Sequence, residues 1–266
     1  MPSIHPTAIV EDGAQIADTV EIGPFAYIGA QAILDSGVKI GPRANVLGRT
    51  RLGEAVVVHT GVVLGDDPQI IGLKPEAVGQ LVIGPRTIIR EYATLHAGWR
   101  SENGRGETTI GADCFLMGGC HIGHDCVVGD KCVIANNVAF GGHSVLGYQV
   151  WVGGQAAAHQ FTRVGDHAFV GGGAILVADV PPFCSAIGNH AYLSGLNLVG
   201  LKRRGFSREA MNTLRKTYKE LFLGEGSFED RLSGVEETYG SSEEVATLTR
   251  FIRAGGRRAV CQAARS

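Results

Sequence analysis

An aliphatic residue recurs every six positions along the first two-thirds of the chain. From Ile4 the phase runs through Val10, Ile16, Ile22, Ile28, Leu34, Ile40, Val46, Leu52 and Val58 to Leu64. A short block follows at Ile83, Ile89 and Leu95, and a long one runs from Ile110 through Ile122, Val128, Phe140, Val152 and Ala158 to Leu176. Glycine often follows the aliphatic residue, as at Gly23, Gly41, Gly129 and Gly165, and a small or β-branched residue often stands four after it. Six matches neither the helical period nor the simple alternation of a strand. It suits a chain that turns a corner every six residues, with the aliphatic side chain aimed at the axis. Three such sides close a triangular coil, and successive coils hydrogen-bond to one another at ~4.8 Å. The repeats fill about nine coils, a prism ~40 Å long. Glycine beside the aliphatic residue relieves crowding and permits backbone angles that other residues resist. The pattern predicts a mainly β chain, a parallel β-helix of hexapeptide repeats.

Two stretches break the phase. Residues 70–82 shift it, and residues 99–109 leave it entirely. Insertions in a solenoid map to loops, often on the binding face. After Val180-Pro181-Pro182 the six-residue pattern stops. Ser207 then reads as an N-cap, with Met211, Leu214, Tyr218, Leu221 and Phe222 on one helical stripe and Gly224 as the stop. Shorter helical patterns follow over 227–238 and 242–254. The expected division is a β-helix over 1–189 and a C-terminal helical domain over 190–266, the helices covering the open last coil.

Net charge is −2, which gives no support for nucleic acid as a partner. No apolar run reaches the ~18 residues of a spanning helix. The repeat begins at Ile4, so no signal peptide is expected, and the cytoplasm is the expected compartment. Basic residues do concentrate at Lys202, Arg203, Arg204, Arg208, Arg215, Lys216 and Lys219, a surface suited to an acidic partner.

The segment Cys120-His121-Ile122-Gly123-His124-Asp125-Cys126 has the look of a zinc site, but its phase argues against one. Cys114, Cys120, Cys126 and Cys132 each stand four after a core aliphatic residue and are expected to point inward as small apolar fillers, while His124 is expected to face outward. Ligands cannot converge from opposite faces of one wall, so neither a metal nor another cofactor is expected.

A flat solenoid wall has no deep pocket, and chemistry is expected in a cleft between neighbouring prisms. Histidine suits the activation of a hydroxyl near neutral pH. His121, His124, His143 and His159 cluster in the sequence. Asp125, next to His124, can hold its ring in one tautomer. Gly142 follows His124 by one coil, so its N–H falls in the same column and can serve an acyl oxyanion.

His121-Ile122-Gly123-His124-Asp125-Cys126, Gly141-Gly142-His143, Ala158-His159-Gln160-Phe161, Gly188-Asn189-His190-Ala191 and the block Gly200 to Ala210 together resemble the UDP-N-acetylglucosamine O-acyltransferases of lipid A biosynthesis. The similarity spans essentially the whole chain. It implies a left-handed β-helix, a homotrimer, and transfer of a β-hydroxyacyl group from acyl carrier protein to the sugar 3-hydroxyl of the nucleotide sugar, the first step of that pathway. It further implies His124 as general base, Asp125 as its orienting partner and Gly142 as the oxyanion donor. His121, His143, His159 and Gln160 match sugar and acyl contacts. His190, Asn197, Arg203 and Arg204 match positions near the nucleotide end. Gly172 matches the position that limits acyl length, and acyl carrier protein suits the basic helical tail. Two departures concern the acceptor. Lys74 matches the family's lysine only across a gap, with the aspartate of its Asp-Leu-Lys motif missing, and Val199 stands where a glutamate is usual. A 3-amino nucleotide sugar, giving an amide, is therefore the alternative acceptor.

Other classes fit less. A related N-acyltransferase usually carries a large N-terminal domain, a coenzyme-A acetyltransferase has only the period behind it, and a β-helical metal hydratase needs outward histidines five residues apart. A catalytically silent trimeric scaffold predicts that loss of His124 changes nothing.

Overall fold

The computed structural model describes residues 1–264. Its solenoid is a left-handed parallel β-helix of three walls, built from 11, 9 and 8 strands. Most strands are two residues long, and parallel partners lie one coil apart, as Ser3 with Glu21 and Ile4 with Ile22. The first wall ends in the strand Cys184–Ile187 and an antiparallel strand, Tyr192–Leu196. The inward aliphatic residues, together with Ala26, Ala32, Val38, Ala44 and the others four places on, form one buried axis. Cys114, Cys120, Cys126 and Cys132 belong to that axis and are fully buried free thiols. Burial pushes Cys120 and Cys126 up to about 12, so these thiols stay protonated fillers.

Most corners follow one plan. The residue three after the aliphatic takes a positive φ, at Phe25, Arg43, Tyr92, Asp125, His143 and Phe161 among others. Glycine does not dominate this strained position. The turn survives because the same residue's N–H continues the ladder, as Arg43 to the Pro24 carbonyl at 3.0 Å and His143 to the His124 carbonyl at 2.9 Å. The glycine directly after the aliphatic, expected partly for its torsional freedom, has an ordinary φ at Gly23, Gly41, Gly129 and Gly165. Its role is close approach: a Cβ on Gly41 would sit 2.8 Å from the His59 carbonyl carbon of the next coil. Between these two lies a residue whose N–H the ladder does not need, and proline fills it at positions 24, 42, 85 and 182.

Both interruptions leave the same corner, between the second and third walls. Leu52 pairs with Ile83 and Ile83 with Ile110, so each insertion adds to an ordinary coil without moving the ladder. The pairing resumes earlier than the sequence phase suggests, in the four-residue strands Gln80–Ile83 and Glu107–Ile110. There Leu81 and Thr108 point inward two places ahead of the aliphatic residue and are completely buried.

Four helices follow: α1 (Leu198–Arg203), α2 (Arg208–Leu223), α3 (Phe228–Tyr239) and α4 (Glu243–Arg253). The Ser207 hydroxyl caps α2 by accepting the Ala210 N–H, and Met211, Leu214, Leu221 and Phe222 are buried beneath it. A buried ion pair ties this unit to the prism. Arg163 donates from Nε to Asp179 at 2.6 Å, and its guanidinium lies 4.3 Å from the ring centre of Phe251 in α4. No described helix is long and apolar enough to cross a membrane.

Candidate active site

Three successive corners between the second and third walls stack in one column: Gly123-His124-Asp125, Gly141-Gly142-His143 and His159-Gln160-Phe161. Ladder bonds from His143 to the His124 carbonyl and from Phe161 to the Gly142 carbonyl fix their spacing. His124 is 9 % exposed and Asp125 is completely buried. His124 Nδ1 lies 2.7 Å from Asp125 Oδ2. An ionised carboxylate only accepts, so Nδ1 carries the proton and Nε2 keeps a lone pair. That lone pair faces Gly142, where an added Cβ would stand 2.6 Å from Nε2. Only glycine leaves this space clear. Gly142 occupies the corner position whose N–H the ladder spares, and no hydrogen bond of the described residues uses it. Base and unpaired donor thus flank one small volume.

What holds Asp125 is not in its own coil. The second insertion folds over it, and the backbone N–H groups of Trp99, Arg105 and Gly106 donate to its oxygens at 3.0, 2.7 and 2.9 Å. Thr108, from the coil below, accepts the Asp125 N–H at 2.8 Å. Burial opposes ionisation of the carboxyl. The bonds from His124 and the insertion outweigh it, and the group is held below the usual carboxylate range. Trp99 also sets its ring edge-on to His124, with centroids 6.0 Å apart. This clamp was not foreseen from the sequence; the only hints were the glycines at 104 and 106 and the loss of phase.

Around the pair, His143 meets His124 edge-on at 4.9 Å and stacks on Phe161 at 4.5 Å. Burial lowers the His143 pKa, with the neighbouring His124 and Arg257 adding to the effect against Asp125. His121, on the second wall, bonds Thr94 Oγ1 through Nδ1 at 2.9 Å. Burial, then His96 and His124, push His121 down to about 4. His96 was missed in the sequence. It replaces the usual glycine after the aliphatic Leu95, is 6 % exposed, and packs edge-on against His121 at 5.0 Å. Lys74 is exposed on the first insertion, just before the 3-10 turn Pro75–Ala77.

The donor atoms of His124, Asp125 and His143 lie within 4.8 Å of one another, close enough to suggest a metal. The chemistry does not fit one. Both carboxylate oxygens are already occupied by N–H donors, and His124 Nδ1 is one of those donors. Two ring nitrogens remain, which is fewer than a zinc site needs.

The remaining candidate residues lie on other parts of the prism. Gly172 sits exposed at the corner between the first and second walls, where a Cβ would come within 3.3 Å of the Gly154 carbonyl oxygen and otherwise face open space. His190 is exposed in the turn after Cys184–Ile187. Arg203 and Arg204 line a cavity of about 610 Å³ on the first wall with Trp151, Phe169, Asn197 and Val199. Asn197 is committed to the fold: it caps α1 at Gly200 and donates to the His167 carbonyl at 2.9 Å. Arg204 donates to the Gln149 carbonyl at 2.8 Å. Arg203 is exposed and faces the cavity.

The family model described as UDP N-acetylglucosamine O-acyltransferase, domain 2, matches residues 179–261, and the bacterial transferase hexapeptide model matches 107–142. The acyl-[acyl-carrier-protein]–UDP-N-acetylglucosamine O-acyltransferase of Caulobacter vibrioides is 48% identical over 259 residues, covering 97% of either chain. That of Azorhizobium caulinodans is 44% identical over 98% of this chain and 96% of its own. Among solved structures, the UDP-N-acetylglucosamine acyltransferase from Campylobacter jejuni superposes with a TM-score of 0.91 at 36% identity, covering 99% of this chain and 100% of its own. The chain belongs to the acyl-[acyl-carrier-protein]–UDP-N-acetylglucosamine O-acyltransferase family.

Proposed function

We propose that the protein transfers a β-hydroxyacyl group from acyl carrier protein to the 3-position of UDP-N-acetylglucosamine, the first step of lipid A biosynthesis, as a cytoplasmic homotrimer. The observation that carries this reading is the His124–Asp125 pair set beneath the free N–H of Gly142. His124 Nε2 takes the proton of the sugar hydroxyl as its oxygen attacks the thioester carbonyl carbon. Negative charge develops on the carbonyl oxygen, where the Gly142 N–H receives it. The intermediate collapses with cleavage of the carbon–sulfur bond, and His124 returns the proton to the departing thiolate. Asp125 stabilises the imidazolium in between.

The trimer is supported by the division of the candidate residues. His121, His124, Asp125, Gly142, His143, His159 and Gln160 cluster at one corner, and Lys74 lies on the first insertion, which leaves the prism between the same two walls. Gly172 and His190 lie at another, and Asn197, Arg203 and Arg204 edge the cavity on the first wall. One site uses all of them when a neighbouring copy supplies the missing wall. Guanidinium groups at that cavity suit the diphosphate, and the open space beyond Gly172 suits a longer acyl chain. The basic residues on and ahead of α2 suit the acidic carrier protein.

The test is mass spectrometry of products made from several nucleotide sugars and hydroxyacyl carrier proteins, with His124→Ala in parallel. His124→Ala is expected to stay folded and trimeric and to lose ~10²–10⁴-fold in turnover. Near-wild-type turnover would sink the mechanism. Acceptance of a 3-amino sugar in preference to the 3-hydroxyl, with an alkali-stable product, would move the reading to amide formation, the chemistry that Val199 and the altered first insertion leave open.

A further inference from the structure

Two charged groups of the candidate corner have no part in acyl transfer, and both come from the far end of the chain. After α4 the tail runs back along the prism. Asp179 N–H donates to the Ala259 carbonyl and Cys261 N–H to the Asp179 carbonyl, both at 2.8 Å, and Leu193 N–H to the Gln262 carbonyl at 2.9 Å. This pairing fixes the tail two coils above Gly142 and delivers two arginines to the corner between. Arg257 lies over the Phe161 ring, 4.2 Å from its centre, and donates to Asn103 Oδ1 of the second insertion at 2.9 Å. Arg258 donates from Nε to the Gln160 carbonyl at 3.0 Å and from Nη2 to His159 Nδ1. Guanidinium has donors only and stays charged. The direction of the His159 bond is therefore fixed. Nδ1 accepts, the ring proton sits on Nε2, and the exposed imidazole offers a ligand one donor in one orientation.

We propose that Arg258 is a positioning residue, which from the C-terminal tail fixes His159 as an Nε2–H donor toward an oxygen of the bound substrate. The proposal rests on the reading of this corner as the acyl-transfer site. A neutral, single-tautomer donor suits a hydroxyl oxygen, and both substrates carry one: the sugar ring and the β-carbon of the acyl chain. Gln160 is held by the same guanidinium through its carbonyl, so one side chain sets two neighbouring positions of the third corner. His124 and Asp125 make no contact with Arg258, so binding should be affected more than the proton transfer itself.

The experiment combines ¹⁵N-histidine NMR on the full chain with steady-state kinetics of Arg258→Met, Arg258→Lys, His159→Ala and the Arg258→Met/His159→Ala double variant. The wild-type protein is expected to show His159 as a single Nε2–H tautomer with an accepting Nδ1, and Arg258→Met a mixture. Losing a hydrogen bond to a charged donor should lower kcat/KM about tenfold, chiefly through KM, with Arg258→Lys in between. In the His159→Ala background, Arg258→Met should add less than about twofold. A rise in KM for the nucleotide sugar places the oxygen on the sugar. A loss confined to hydroxyacyl donors, sparing donors without the hydroxyl, places it on the acyl chain. Wild-type KM for both substrates, or a loss that persists undiminished without His159, overturns the proposal. Should Arg258→Met fail to fold, Arg258→Lys keeps the charge, loses the fork and carries the same comparisons. The tautomer measurement needs no substrate, so it stands apart from the result on His124→Ala that tests acyl transfer itself.

Discussion

Asp125→Asn is the substitution that most directly probes the corner, because it keeps shape and removes only charge and acceptor symmetry. The wild-type carboxylate accepts four N–H groups, from Arg105 and Gly106 on one oxygen and from Trp99 and His124 on the other. An amide has one oxygen. If it faces Arg105 and Gly106, its NH₂ meets the Trp99 N–H and His124 Nδ1. His124 can then bond only by accepting, which moves its proton to Nε2 and removes the base. Turnover should fall ~10²–10⁴-fold from the wrong tautomer alone. The Trp99 N–H is left facing another donor, at a cost of about 1–3 kcal/mol. The pH profile of stability follows from the same bonds. The folded pKa of Asp125 lies below its ordinary value of 3.8, so its contribution is present above that value and is lost as pH falls through the folded pKa. Asp125→Asn should abolish that acid-dependent loss. The assay is product mass spectrometry for turnover, thermal unfolding across pH, and hydrogen exchange at the Trp99, Arg105 and Gly106 amides. Exchange should rise first at Trp99. A variant with turnover within about threefold of wild type and unchanged protection at Trp99 would refute the account of the clamp.

Gly142→Ala sets a methyl 2.6 Å from His124 Nε2, so the ring must move, and it should cut turnover ~10²–10³-fold with a loss of about 1–3 kcal/mol of stability that thermal unfolding by circular dichroism can check. Arg163→Met leaves the fully buried Asp179 carboxylate without its partner and should cost about 3–5 kcal/mol, read as early loss of α4 protection in hydrogen exchange. His121 is held neutral down to about 4, so the folded protein binds its proton later than the unfolded chain. Stability should therefore decline as pH falls from 6.5 toward 4, and His121→Asn should flatten that decline in urea unfolding curves.

The period in the sequence was enough to place every wall, because the leading axial position stays aliphatic or aromatic at almost every hexad while polar residues enter the axis only as small hydroxyls such as Thr87, Ser144 and Thr162. It placed Ile22 over Ile4, turned Cys120 and Cys126 inward, and set Gly142 in the column of His124. It failed where backbone atoms do the work. The N–H groups that hold Asp125 belong to Trp99, Arg105 and Gly106, and side-chain identity scarcely constrains a backbone donor. The positive φ three places after the aliphatic was equally hidden, since residues as different as Phe25, Lys131 and His143 adopt it. The tail failed for another reason. Arg257 and Arg258 look like ordinary surface charge, and only the return of the chain past Asp179 brings them to Phe161 and His159.

The placing of the insertions and tail has a physical logic. Solenoid walls are ladders with little freedom to curve, so a flat corner cannot enclose a substrate by bending. Depth must come from segments that leave the ladder and are tied back to it. The second insertion is tied at Asp125, the tail at Asp179, and the two meet where Arg257 bonds Asn103. Asp125 stands at a corner and Asp179 on the third wall beside Arg163, yet both are completely buried: Asp125 accepts N–H groups from the second insertion, and Asp179 accepts the backbone N–H and guanidinium of Arg163 while its own backbone pairs with the tail. The buried carboxylate of Asp125 is thus a fastening device as well as a partner for histidine. The acid that orients His124 also holds down the loop that shields it, so loss of the charge should weaken catalysis and enclosure together.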